Sequence, residues 1–186
     1  ARWDRLSDFP QHQLGRDPEV EVAAILTTVT DPFGRVSMHG VRERILDMQA
    51  RELDLRCVKV RIPYPCSDEI YERKMRAALE GLQREGVEEV AFGDLFLEDV
   101  RRYREENLAR VGMGARFPLW GRDTATLAAE MLREGISAVV TSVDPRKVQA
   151  SAAGCRWDEV LLRRLPAGVD LCGENGEFHT VVTSGP

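Results

Sequence analysis

The sequence predicts an α/β protein with a parallel sheet and helices on both faces, and two observations support this prediction. Apolar residues recur at strand spacing and at helix spacing in alternating segments of the chain. Such alternation is typical of parallel strands joined by helical crossovers. The length of 186 residues suits one domain, or one domain with a small appendage, and allows a buried core.

The first half of the chain alternates clearly between the two periods. Strands are predicted over 20–29, 57–62 and 87–92, and a helix over 41–53. A second helix begins after Ser67 or Asp68, either of which can cap it, and ends at Gly86.

The second half continues the pattern. Helices are predicted over 97–110 and 124–133, with Asp123 or Thr124 as the cap of the latter. The segment 136–143 is a nearly unbroken apolar run, which favours a parallel strand covered on both faces.

Composition bounds the function. The chain is 43% hydrophobic and 31% charged, and no apolar run is long enough to span a membrane. We expect no secretory signal and therefore a cytoplasmic protein without a membrane partner. The formal net charge of −5 argues against nonspecific binding to nucleic acid. The four cysteines form no C-x-x-C pair, so reduced thiols are expected and zinc is not.

The loop 172–180 (CGENGEFHT) is the most polar short segment of the chain and is followed by a predicted strand. Its two glycines permit left-handed backbone or close approach to a ligand. A loop anchored to a sheet edge in this way is typical of a binding site. The Asn175-Gly176 pair also fits a solvated hairpin turn, and the residues alone leave both interpretations open.

Two carboxylates follow predicted strands directly. Asp94 comes after 87–92 and Asp144 after 136–143, at the edge where open α/β sheets bind ligands. Gly93 would let a nucleotide approach the backbone, and Asp94 would bind Mg²⁺ or a ribose hydroxyl, or else cap the next helix. His39 follows the first strand and either contacts a phosphate or base or serves the start of the helix. Arg122 either steers an anionic substrate or lies on the surface.

Five ordered segments carry a resemblance to a known family: 36–42 (VSMHGVR), 91–101 (AFGDLFLEDVR), 117–123 (FPLWGRD), 143–147 (VDPRK) and 172–180. Together they resemble the diphthine–ammonia ligase family and its bacterial relatives, a branch of the PP-loop ATP pyrophosphatases within the adenine nucleotide alpha hydrolases. The resemblance extends from about Arg16 to the end of the sequence. One departure is clear. The family's Ser-Gly-Gly-Lys-Asp-Ser loop, which cradles pyrophosphate, has no counterpart in residues 1–12, where Arg2 and Arg5 offer charge but no glycine occurs.

The resemblance implies a nucleotide-binding α/β domain over 1–115 and a smaller α/β lobe over 116–186 that binds substrate. It implies ATP-dependent amidation, with ATP and Mg²⁺ as cofactors. The substrate would be a small molecule or modified residue that bears a carboxylate, and ammonia the second substrate, with homodimerisation left open. The catalytic residues implied are Glu174 and Glu177; the cofactor-binding residues are His39, Gly93 and Asp94, with Asp94 also binding metal; the substrate-binding residues are Gly173, Asn175, Gly176, His179, Thr180 and Arg122.

Two other outcomes stay open. A non-catalytic binding protein would have kept the substrate pocket but lost the phosphate loop, and a fragment without its first strand would fold poorly. If the start at Ala1 is genuine, we expect weak or absent ATP binding. For the pocket, we expect Glu174→Ala to abolish acceptor binding while leaving the melting temperature nearly unchanged.

Overall fold

A computed structural model describes residues 14–15, 17–37 and 39–185. In chain order, the helices and strands of this part are β1 (Ala24–Thr30), β2 (Arg35–Val36), α1 (Glu43–Glu52), β3 (Arg56–Ile62), α2 (Asp68–Arg84), β4 (Glu89–Ala91), α3 (Glu98–Ala109), β5 (Gly114–Arg116), α4 (Thr124–Arg133), β6 (Ser137–Val143), β7 (Arg156–Trp157), α5 (Glu159–Arg164) and β8 (Phe178–Ser184). Short 3-10 helices occupy Asp31–Phe33 and Ala150–Ala152. The predicted absence of a phosphate loop concerns residues 1–12, which lie outside the described residues.

The chain divides into two compact units. The N-terminal unit contains Glu21–Ala91 and Asp99–Arg116. The C-terminal unit contains Phe92–Glu98, the chain from Phe117 onward and the described residues before Glu21. The short segment Phe92–Glu98 belongs to the C-terminal unit, although the chain on both sides of it belongs to the N-terminal unit. Gly93 and Asp94 therefore lie in the same unit as the 172–180 loop.

The N-terminal unit contains two sheets with parallel pairing. Strands β1 and β3 are parallel from Ala24 opposite Arg56 to Thr30 opposite Ile62, and β2 adds an antiparallel edge. Strands β4 and β5 form a second parallel pair. Helix α1 lies between β1 and β3 in sequence, and α3 lies between β4 and β5, as crossover connections require. The mixed α/β class is confirmed, whereas one parallel sheet with helices on both faces stays a prediction.

Helix boundaries follow local capping chemistry. The Ser67 hydroxyl accepts a hydrogen bond from the Ile70 N–H at 3.4 Å, so Ser67 is the N-cap of α2. The Asp123 carboxylate accepts from the Thr126 N–H at 2.8 Å and caps α4 in the same way. In both cases the first of the two candidates predicted from sequence is the cap.

The C-terminal unit has a different sheet. Strand β6 lies between β7 and β8, and both neighbours are antiparallel to it. The parallel pairing expected for this strand is wrong, because the chain turns back after β6 into β7, and β8 then runs in the same direction as β7 on the other side of β6. Ala138 and Val140 are its buried residues, which is the one-sided pattern of an antiparallel strand.

The core of the C-terminal unit surrounds this sheet. Trp157, Leu127 and Val140 are each about 1% exposed and belong to one apolar cluster with Leu95, Cys172 and Phe178. The Trp157 indole N–H donates to the Leu171 carbonyl at 3.1 Å, which ties the segment before the 172–180 loop to the core. Among the described residues, no helix is long and apolar enough to cross a membrane.

Candidate functional site

The 172–180 loop is a tight, buried turn that leads into β8. The Gly173 N–H donates to the Asp170 carbonyl at 2.8 Å, and the Gly176 N–H donates to the Gly173 carbonyl at 3.0 Å. Gly173 has φ +68°, and a Cβ there would lie 3.0 Å from the Phe178 carbonyl oxygen. Only glycine meets both demands, so the backbone path of the loop depends on this residue.

The two glutamates of the loop point inward. Glu174 and Glu177 are each only 3% exposed, whereas Asn175 between them is exposed. A solvated hairpin turn would leave both carboxyl groups in water. The hairpin interpretation is therefore wrong, and the loop places two acidic groups inside the protein, where each needs partners.

Through its hydrogen bond with Leu95, Glu174 connects the 172–180 loop to two other segments. Its Oε1 accepts a hydrogen bond from the Leu95 N–H at 3.2 Å. The Leu95 carbonyl in turn accepts from the Gly121 N–H at 2.8 Å. The backbone of Leu95 thus links the Gly93-Asp94 segment, the Trp120-Gly121 segment and the 172–180 loop.

The 143–147 segment attaches to the other side of the same loop. The Asp144 N–H donates to the Glu177 carbonyl at 2.8 Å. The Lys147 ammonium donates to the Asn175 carbonyl at 3.0 Å. Four of the five segments singled out from the sequence therefore meet around this loop, which we call the four-segment site: residues 93–95, 120–122, 144–147 and 172–180.

Only one of the two oxygens of the Glu177 carboxylate accepts hydrogen bonds from described residues. Its Oε1 accepts hydrogen bonds from the Asn175 side-chain amide at 3.1 Å and from the Asp170 N–H at 3.3 Å. Its Oε2 is buried and has no hydrogen-bond partner among the described residues. Burial opposes the charged form, but the hydrogen bonds and the nearby Lys147 charge outweigh it and lower the pKa below its ordinary value. Glu177 is therefore ionised at neutral pH.

Asp170 is a residue of this site that sequence reasoning missed. Its carboxylate accepts a hydrogen bond from the Glu174 N–H, while its own N–H donates to Glu177. It thus closes the loop through both glutamates. The available signal was its position three residues before Gly173, because Asp commonly bonds backbone N–H groups a few residues ahead in a turn.

Asp144 has a structural role at the loop. Its carboxylate accepts from the Arg146 N–H at 3.0 Å and binds the Arg146 guanidinium at 2.9 and 2.8 Å. The Arg146 side chain holds the pKa of Asp144 down to about 2, from an ordinary 3.8. This local pair shapes the turn that brings Lys147 to Asn175.

Asp94 is a buried carboxylate, 4% exposed, next to Leu95. Gly93 before it is partly exposed. The described residues contain no group of three or more His, Cys, Asp or Glu side chains arranged to hold a metal ion. A cation at Asp94 would need further oxygen ligands, from water, backbone carbonyls or a bound substrate.

The remaining predicted site residues lie in different environments. The guanidinium of Arg122 pairs with Glu130 of α4. On β8, Thr180 is buried on the same face as Phe178, and His179 lies on the opposite, partly exposed face. His39 is buried at 2% exposure in the N-terminal unit, whereas all other predicted site residues belong to the C-terminal unit.

The fold and these contacts define a mixed α/β protein. Its C-terminal unit contains a candidate site with buried acidic side chains and a loop whose backbone path depends on glycine. No family model matches the chain. Similarity to curated proteins is found over about half of it. It is 31% identical over 110 residues to diphthine–ammonia ligase of Rattus norvegicus, covering 56% of this chain and 41% of the relative.

Two further relatives carry the same name. Diphthine–ammonia ligase of Danio rerio is 31% identical over 113 residues, with 54% of this chain and 41% of the relative covered. That of Bos taurus is 30% identical over 110 residues, with 56% and 41% covered. The resemblance to the diphthine–ammonia ligase family predicted from sequence is thereby confirmed. The chain spans about two fifths of the length of these relatives.

Proposed function

We propose that this chain contributes the acceptor side of an ATP-dependent amide ligase, which activates a substrate carboxylate and converts it to an amide with ammonia. The observation that carries the proposal is the convergence of three other family-like segments, 93–95, 120–122 and 144–147, on the 172–180 loop. Hydrogen bonds at Leu95, Asp144 and Lys147 hold that convergence together. The similarity to diphthine–ammonia ligases supplies the reaction class.

In the proposed reaction, a carboxylate oxygen of the acceptor attacks the α-phosphate of ATP, and pyrophosphate leaves. Ammonia then attacks the acyl carbon of the adenylate, AMP leaves with the former carboxylate oxygen, and one proton is released. The chain's own residues bind and orient the two reactants, which supplies rate through proximity. Glu177 is a poor base for this purpose because its pKa is lowered, so its part is to hold a positively charged or N–H-bearing group.

The acceptor would lie against the 172–180 loop. Gly176 would leave the backbone open to its approach, Gly173 sets the path of the loop, and Asn175 presents an exposed amide. His179, Thr180 and Arg122 stay proposals for the same pocket. They are weaker candidates than residues 173–177 of the loop, because Thr180 faces the core and Arg122 is paired with Glu130.

The nucleotide side is proposed for the segment that follows β4. Gly93 would allow the phosphates close to the backbone, and Asp94 would hold Mg²⁺ together with phosphate oxygens. The assignment of His39, which lies in the N-terminal unit, as a nucleotide-binding residue stays a prediction. The proposed nucleotide side includes the finer expectations of an adenine nucleotide alpha hydrolase-like sheet and of a nucleotide-binding part over 1–115 with a substrate lobe over 116–186.

The test is nucleotide turnover with a diphthine-bearing protein as the acceptor. We expect AMP and pyrophosphate in equal amounts, and only when acceptor, ammonium and Mg²⁺ are all present. Glu177→Gln should lower the rate, whereas Glu159→Gln, a change of an exposed glutamate in α5, should leave it unchanged.

Formation of ADP, or AMP release that ignores the acceptor, would contradict the proposal. Binding of the acceptor without any AMP release would support the non-catalytic alternative instead.

A further inference from the structure

The buried carboxylate of Glu177 is used on one oxygen only. Oε1 accepts two hydrogen bonds, from Asn175 at 3.1 Å and from Asp170 at 3.3 Å. Oε2 is equally buried and accepts none from the described residues. A buried acceptor without a donor is costly, and more so when the group is charged. The site therefore favours a ligand that donates to Oε2.

Within the described part of the chain, the charge of Glu177 is offset only by the nearby Lys147 ammonium, which forms no ion pair with it. Both donors to Oε1 are neutral amides, and the carboxylate forms no ion pair with a described residue. The nearby ammonium of Lys147 donates to the Asn175 carbonyl instead. A positively charged donor suits such an oxygen best, because a charge-assisted hydrogen bond is about twice as strong as a neutral one.

The arrangement discriminates among cations. A divalent metal needs several oxygen or nitrogen ligands, and the described residues contain no group of three His, Cys, Asp or Glu side chains that could hold one. A quaternary ammonium group has no N–H to donate. A small cation with N–H groups satisfies both the charge and the hydrogen-bond demand of a single oxygen.

Glu177 also lies close to solvent despite its burial. Asn175, which contacts its Oε1, is exposed, and Gly176 between them is partly exposed. Gly176 has φ +82°, so the backbone over the carboxylate carries no side chain. The approach proposed for a small ligand is therefore past Asn175 and Gly176, the exposed part of the loop.

We propose that Glu177 Oε2 is a binding position for ammonium, held by an N–H···O hydrogen bond beneath Asn175. The proposal rests on the proposed function for its biological sense, since amidation consumes ammonia. It separates the two glutamates of the loop: Glu177 binds the nitrogen donor, whereas Glu174 fixes the loop to Leu95. It involves binding only and no bond-making step.

The experiment is a thermal-unfolding titration of the chain with ammonium chloride, without nucleotide, at constant ionic strength. Parallel arms use potassium, methylammonium and tetramethylammonium chloride. We expect the melting temperature to rise saturably with ammonium and to stay flat with tetramethylammonium and potassium. Glu177→Gln should weaken the apparent ammonium affinity at least about tenfold, in line with loss of a charge-assisted hydrogen bond. Glu159→Gln is the matched control.

The methylammonium arm decides between two sources of the same N–H chemistry. A response to ammonium alone supports a site sized for the free ion, as proposed. A stronger response to methylammonium would assign the oxygen to an amine of the acceptor and overturn the assignment to ammonium. An equal response to potassium or tetramethylammonium, or no response to any cation, would overturn the proposal, the last because water alone would then occupy the position.

A second measurement in the unmodified protein keeps the proposal testable if Glu177→Gln does not fold. With [¹⁵N]ammonium at mildly acidic pH, we expect a nuclear Overhauser effect between the ammonium protons and the Asn175 side-chain amide. Its absence at saturating ammonium would overturn the proposal. Neither binding experiment contains ATP or acceptor, so its result does not depend on the proposed reaction. If ammonium binds but the turnover assay yields no AMP, only the proposed function is refuted.

Discussion

Replacement of Glu174 tests how much the hydrogen bond between its buried carboxyl group and Leu95 contributes to stability. In Glu174→Ala, the Leu95 N–H loses its acceptor at 3.2 Å inside the C-terminal core. A buried donor left unsatisfied costs about 1–3 kcal/mol. Loss of one buried methylene adds about 0.8 kcal/mol. We therefore expect a loss of about 2–4 kcal/mol in the free energy of unfolding, from these two contributions.

Glu174→Gln separates the hydrogen bond from the charge. The glutamine carbonyl can still accept from Leu95, so the free energy of unfolding should stay within about 1 kcal/mol of the original. Urea unfolding followed by tryptophan fluorescence reports on the correct part of the molecule, because the described tryptophans, Trp120 and Trp157, both belong to the C-terminal unit.

The structure thus changes the expectation drawn from sequence, which was a nearly unchanged melting temperature for Glu174→Ala. Glu159→Ala, at an exposed position of α5, serves as the control and should change stability by no more than about 0.5 kcal/mol. A Glu174→Ala variant as stable as this control would refute the reasoning, because Leu95 would then not depend on Glu174.

Three further predictions follow from the site and its surroundings. Gly173→Ala should destabilise more than Gly168→Ala in the same urea assay, because both have positive φ but only Gly173 has a backbone oxygen 3.0 Å from the new Cβ. Arg146→Gln should lower stability above about pH 4, with the difference lost as the pH falls towards 2 and Asp144 is protonated in both proteins, as pH-dependent unfolding would show. Burial raises the pKa of Cys57 to about 11, so iodoacetamide should alkylate it roughly 100-fold more slowly in the native than in the urea-unfolded protein at pH 8.

Local patterns allowed most helices and strands to be predicted from sequence. Helix α4 was expected over the residues where it occurs, because its apolar stripe and its Asp123 cap are both local signals. Strands β3 and β6 were also expected within one residue of their bounds. The two-residue strands β2 and β7 were missed because a segment that short has no periodicity to detect.

The pairing of β6 was mispredicted for a physical reason. An apolar run indicates a buried strand but carries no information on the direction of its neighbours. That direction depends on the return path of the chain, which here leads through Leu171 and the loop into β8. Long-range connections of this kind are not encoded in the spacing of a single segment.

The segments of the candidate site could be singled out from sequence, but their hydrogen bonds could not. Carboxylates after strands and glycines in a polar loop indicated segments that contact one another in the structure, whereas their roles stay predictions. The junction at Leu95 could not be foreseen, because it uses backbone groups that any residue carries. Likewise, the sequence does not distinguish Glu174 from Glu177. Their hydrogen bonds do, because Glu174 accepts from the Leu95 backbone, whereas Glu177 Oε2 has no hydrogen-bond partner among the described residues.

The most direct test of the proposed ligase chemistry uses an acceptor whose carboxylate carries ¹⁸O on both oxygens. If the carboxylate attacks the α-phosphate of ATP and ammonia then displaces AMP, one ¹⁸O per turnover must appear in the phosphate of AMP and one must stay in the amide. Mass spectrometry of both products measures this transfer. We predict one labelled AMP for each amide formed; AMP without ¹⁸O would show that water, and not the acceptor, reacts with the nucleotide, and would contradict the account.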